Sequence, residues 1–120
     1  SGAGVSKEWL AKNPNTALAF EAALLEAQNM MWADAATADE FYAEFNQIEQ
    51  AEADGLVADF QTVGNRTMQW TDEAFENPKT VLSTVNPDIS EVDVTTAYDR
   101  TQLQKLVDLG VYDALGIPME

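Results

Sequence analysis

The stretch KNPNTALAFEAALLEAQNMMW, residues 12–32, limits the possible folds more than any other part of this chain. Asn13 is a favoured N-cap, and Pro14 suits the first helical position because its missing N–H would have had no partner there. Ala17, Phe20, Leu24, Ala27 and Met31 recur at intervals of three and four, while Leu18, Leu25 and Trp32 fill an adjoining line. That spacing predicts a helix over 14–33 whose broad apolar stripe is buried against more than one other element.

The rest of the chain carries similar punctuation. Ser6 caps a short turn over 7–12 anchored by Trp9 and Leu10. Thr37 and Glu40 fit a reciprocal capping pattern, which predicts a helix over 38–53 that turns Ala38, Phe41, Phe45 and Ile48 inward and stops at Gly55. Residues 56–70 mix periods, reading either as a helix ended near Gly64 or as a strand-like passage. Asn77-Pro78 marks the start of a further helix and Asn86-Pro87 its end. Ser90 and Thr95 are alternative caps for a last helix reaching Leu109, with Gly110 as its left-handed stop. The fold class expected is therefore mainly α, with five or six helices in one compact helical domain over 1–120.

At 120 residues the chain is long enough for one core, and 46% hydrophobic residues with five Phe, three Tyr and three Trp suit a folding chain. The 21 carboxylates against six Lys plus Arg give a formal net charge of −15. Such a charge repels nucleic-acid backbones and anionic lipid, and the six cations stand singly, so nucleic acid is not an expected partner. No run is long and apolar enough for direct membrane insertion. The absence of Cys and His removes disulfides, thiolate nucleophiles, the usual neutral-pH base and the commonest zinc ligands. The expectation is a non-enzymatic protein with no cofactor and no metal.

The acids show no ordered ligand pattern. Glu49, Glu52, Asp54 and Asp59 lack the alternating oxygen ligands and glycine turn of a calcium loop, and read as a solvated helix end. GNRTMQW, residues 64–70, is the most function-like stretch. Arg66 offers a planar fork for a carboxylate or sulfonate, Trp70 a flat apolar wall, and Asn65 a polar turn residue beside them. The competing structural reading pairs Arg66 with a neighbouring acid and packs Trp70 into the core. Met31, Trp32 and Trp9 are the candidates for a partner-docking surface, against core packing as the simpler alternative.

VSKEWLAKNPNTALAFEAALLEAQ, residues 5–28, resembles a passage late in periplasmic solute-binding proteins of the nitrate, sulfonate and taurine group, which is similar to the thiamine-precursor-binding family. AFENPKTVLSTVNPDI, residues 74–89, and TQLQKLVDLGVYDALGIP, residues 101–118, resemble two further segments of those receptors. Their order and spacing match only the C-terminal portion of such a receptor. The resemblance implies part of a two-lobed α/β protein that delivers a small organic ligand to an ABC transporter permease, in a periplasmic or extracellular setting. No ligand residue transfers from it. Helices that normally cover a sheet would leave an apolar face without it, so the chain must either repack as a helical bundle or associate with another chain, a second copy included. The alternative is a stand-alone acidic helical domain for protein interaction or homo-oligomerisation.

Overall fold

The computed structural model describes residues 3–96 and 98–119, and every regular element among them is helical. The mainly α expectation holds. The helices are α1 (Lys7–Lys12), α2 (Pro14–Ala33), α3 (Ala35–Asn46), α4 (Gln50–Val63), α5 (Asp72–Ser83), α6 (Thr101–Asp108) and the single-turn α7 (Val111–Ala114). Two 3₁₀ turns, Pro87–Glu91 and Val94–Thr96, follow α5.

α1 and α2 start where their caps place them. The Ser6 side chain accepts from the Trp9 N–H, and Asn13 precedes Pro14. Asn13 does not cap with its side chain; its Nδ2 donates back to the Trp9 carbonyl at 2.9 Å and so closes α1. Gly110, at φ 73°, ends the α6 region in the left-handed conformation that an L side chain adopts only at a cost.

Four boundaries depart from expectation. α3 begins at Ala35 because Asp34, not Thr37, is the cap, with the Thr37 N–H donating to the Asp34 side chain. It stops at Gln47, which takes φ 56°, while the Ile48 N–H bonds the Ala43 carbonyl at 3.1 Å in a six-to-one closure. Gly55 therefore lies inside α4, and residues 56–63 are helix rather than strand. α5 starts at Asp72 behind the N-cap Thr71, whose side chain accepts from the Ala74 N–H, so Pro78 falls within the helix. The bond that Pro78 forfeits would have gone to the carbonyl of Ala74, an exposed residue that water can serve. Between Asn86 and Arg100 the chain makes two 3₁₀ turns where a longer last helix was expected.

The core is small. Leu25, Leu106, Tyr112 and Ile117 form its centre, with Leu18, Ala22, Met68, Leu103, Val107, Val111 and Leu115 packed against it. α2 is thus the central helix: it packs against α6, α3 and α4, while α7 packs against α6 and reaches the cluster through Tyr112. The second contact is made by small residues, since Ala38 and Ala43 of α3 and Ala53 and Val57 of α4 are the buried ones. Alanines let the helices approach closely and turn the larger side chains of the same helices outward. Phe41 is 61% and Phe45 88% exposed, contrary to the inward placement that periodicity suggested. On α2 the buried line runs through Ala17, Leu25 and Asn29, leaving Phe20 and Leu24 exposed.

The result is an open arrangement. Its accessible surface is 8438 Å², about 2,000 Å² more than the roughly 6,400 Å² expected of a compact 13.2 kDa monomer. The radius of gyration of 16.9 Å likewise exceeds the roughly 13.6 Å of a compact chain this long.

Candidate functional site

GNRTMQW folds into a turn between α4 and α5 that its own side chains tie down. Asn65 Oδ1 accepts from the Thr67 N–H at 3.2 Å and its hydroxyl at 2.9 Å, while Nδ2 donates to the Gln69 carbonyl at 2.5 Å. Gln28 of α2 donates to the Asn65 carbonyl, also at 2.5 Å. Met68 is held at φ 57°, unusual for a non-glycine residue, and its side chain packs on the central cluster. From the far side, the Tyr112 hydroxyl donates to the Thr67 carbonyl at 2.8 Å.

Arg66 is committed within this arrangement. Its Nε donates to Asn29 Oδ1 at 2.8 Å and its Nη2 to the Gly116 carbonyl at 3.2 Å, while the guanidinium lies 5.7 Å from the Trp32 ring centroid. Asn29, buried on α2, completes the junction by donating Nδ2 to the Leu115 carbonyl at 2.9 Å. One arginine thus ties the 64–70 turn, α2 and the C-terminal segment together. Trp70 faces a different group: its ring packs 5.6 Å from Phe75, and Phe75 stacks on Tyr98 at 4.4 Å with planes 5° apart. Arg100 lies over Tyr98, donates Nη2 to the Trp70 carbonyl at 3.0 Å and pairs with Asp72 at 3.2 Å. Arg66 and Asn65 thus make contacts within one junction, while Trp70 belongs to a separate aromatic group.

The three partner-docking candidates also separate. Trp32 sits between Arg66 and Phe60, with ring centroids 5.6 Å apart from the latter. Trp9 is partly exposed on α1. Met31 lines a surface cleft of about 270 Å³ together with Tyr42 of α3 and Leu56, Val57, Asp59, Phe60 and Val63 of α4. Its walls are fixed by a hydrogen bond from Gln61 Nε2 to the Met31 carbonyl. Of its lining residues, Leu56 and Val63 are exposed, and Phe41 and Phe45 of α3 are exposed as well.

No protein family, curated protein or solved structure matches this chain.

The titratable groups show how the carboxylates are used. Burial raises the Glu21 pKa above its ordinary 4.5, and the neighbouring Asp99 charge adds to the effect. Burial also raises the Tyr112 hydroxyl, against a hydrogen bond from Gln69 that lowers it. Asp99 and Asp93 are shifted down because each accepts from the side chain and the backbone of a threonine, Thr101 and Thr95 respectively. Glu21 Oε2, Asp39 Oδ1 and Gln102 Oε1 are buried oxygens without a hydrogen-bond partner among the described residues. Those residues contain no group of three acids placed to hold a metal ion, and no helix long and apolar enough to cross a membrane.

Sequence reasoning passed over Asn29, Arg100 and Asp72. The signal for Asn29 was present as a polar residue on the buried side of α2, one turn beyond Leu25. The pairing of Arg100 with Asp72 had no signal, because it closes across a separation of 28 residues that contains α5 and both 3₁₀ turns.

Proposed function

We propose that this chain is a non-enzymatic recognition domain whose helical faces are closed by a further polypeptide surface. The carrying observation is the surplus of about 2,000 Å² of accessible surface, with Phe20, Leu24, Phe41, Phe45, Leu56 and Val63 exposed on α2, α3 and α4. A standard protein interface covers roughly 800 Å² per partner, so the surplus is large enough to accommodate one. Large apolar side chains exposed on three packed helices favour docking as the reading of that surplus.

A receptor-derived version of the reading, in which the closing body is the remainder of a solute receptor serving an ABC transporter, has support of its own. Two of the three segments that resemble such receptors, 5–28 and 101–118, meet in the central cluster through Leu25, Leu106, Tyr112 and Ile117. In this version a small organic anion is bound where the helical layer meets the closing body, since Arg66 is already engaged.

Light scattering combined with binding of an environment-sensitive apolar dye tests the docking reading. The expected result is either an assembly larger than one chain or a monomer that binds the dye at neutral pH, with Phe41→Asp and Phe45→Asp lowering the signal. A monomer that binds no dye would overturn it. The receptor version requires a rise in Tm with a member of a panel of sulfonates, nitrate and pyrimidines; no rise across the panel removes that version alone.

A further inference from the structure

The cleft between α2, α3 and α4 joins an apolar floor to helices that carry acids and no Lys or Arg of their own, and that combination selects a partner. Between Lys12 and Arg66 the sequence holds ten acids and no Lys or Arg. This stretch supplies the whole of α2, α3 and α4. The cleft floor is Met31, Tyr42, Leu56, Val57, Phe60 and Val63, and its one charged lining residue, Asp59, is anionic.

We infer that this cleft receives a cationic amphipathic helix of another polypeptide, whose apolar face lies on α4 and whose Lys and Arg residues meet the acids of α3 and α4. The inference rests on the docking reading above and narrows it to one face and one partner chemistry. The volume of about 270 Å³ exceeds the roughly 150 Å³ that encloses a benzene-sized group and falls below the roughly 300–1,000 Å³ of small-molecule pockets. It suits one bulky or two aliphatic anchor side chains. Leu56, Phe60 and Val63 follow one another at four and three residues, over a rise of about 10 Å, which matches the spacing of anchors on a docked helix.

Charge decides between occupants. A second copy brings the same −15, so face-to-face pairing would set two acid-only layers against one another. Nucleic acid and anionic bilayers meet the same repulsion. A basic helix is attracted across the whole layer, and its long side chains reach the acids while their stems cover apolar surface.

The test uses the full chain and a labelled Leu/Lys peptide of about 18 residues with a 3.6-residue apolar period. A scrambled peptide of equal composition and a Leu/Glu counterpart serve as comparisons, with binding followed by fluorescence anisotropy. The Leu/Lys peptide should bind, weaken as salt rises, and exceed both comparisons by about tenfold or more. Leu56→Asp and Val63→Asp should each weaken it by about tenfold with the far-UV spectrum unchanged, since both positions are exposed.

Equal binding of the scrambled peptide would overturn the inference, because it would reduce the effect to bulk charge. Absence of binding, or indifference to both substitutions, would do the same. A dimer that Leu56→Asp dissociates would assign the cleft to a second copy instead. If the peptide fails while dye or mass measurements still report uncovered or shared apolar faces, only this inference falls. If those measurements are also silent, the docking reading falls with it.

Discussion

Replacing Arg66 by Ala tests whether this residue holds the fold together or waits for a ligand. The substitution leaves Asn29 Oδ1, on a side chain only 4% exposed, without its donor, and removes the guanidinium from the Trp32 face. An orphaned buried acceptor costs about 1–3 kcal/mol, and a partly exposed cation–π contact about 0.5–1 kcal/mol. The sum, roughly 1.5–4 kcal/mol, is a large share of the about 6 kcal/mol that a loosely packed chain of this length has. With a urea slope of about 1.5 kcal/mol per molar, the unfolding midpoint should fall by roughly 2 M. Urea titration followed by far-UV circular dichroism measures this directly. Asn29→Leu then provides the control, because removing both polar partners leaves nothing orphaned between them. In that background Arg66→Ala should cost at least about 1 kcal/mol less than in the wild type. A loss below about 0.5 kcal/mol in the wild-type background, or the same loss in both, would refute the keystone role argued for Arg66.

Three further substitutions probe other parts of the argument. Gly55→Ala should raise stability by about 0.5–1 kcal/mol in the same titration, since Gly55 lies inside α4 with open space where a Cβ would stand. Gly64→Ala should lower stability by about 1–3 kcal/mol and alter the near-UV signal of Trp32, because the added Cβ would lie 2.6 Å from the Phe60 carbonyl oxygen and 2.7 Å from its ring. Glu21→Gln should stabilise the chain at neutral pH. The folded-state pKa of Glu21 is raised, so the cost of keeping it charged is fully present above that pKa and vanishes as pH falls below the ordinary 4.5. The advantage of the variant in chemical denaturation should therefore shrink on acidification through that window, while an advantage that grows would contradict the assignment.

How much of this was legible in the sequence depended on whether a signal was local. α2 was read to its ends because Asn13-Pro14 fixes one terminus by chain geometry alone, and Gly110 was read for the same reason. Asn77-Pro78 misled because a proline is as compatible with a helix interior as with a start when its lost acceptor faces water. Gly55 misled because the real stop is Gln47, a residue with no compositional claim to φ 56°. Phe41 and Phe45 show the limit of periodicity. Apolar spacing locates a stripe, but the alanines beside it decide which side of the helix a neighbour can approach. The candidate residues at 64–70 were correctly seen as special in composition. What the sequence did not disclose was that Asn29 and Gly116, 37 and 50 residues away, already occupy the arginine.

α5 contributes no buried residue and packs chiefly on the two 3₁₀ turns that follow it, whereas α2 and α6 share the central cluster. Cooperative unfolding is therefore not the first event this molecule undergoes. Amide protons of residues 72–83 should exchange through openings far cheaper than global unfolding, and a protease supplied at low level would cut there while the neighbourhood of Leu25 remained protected.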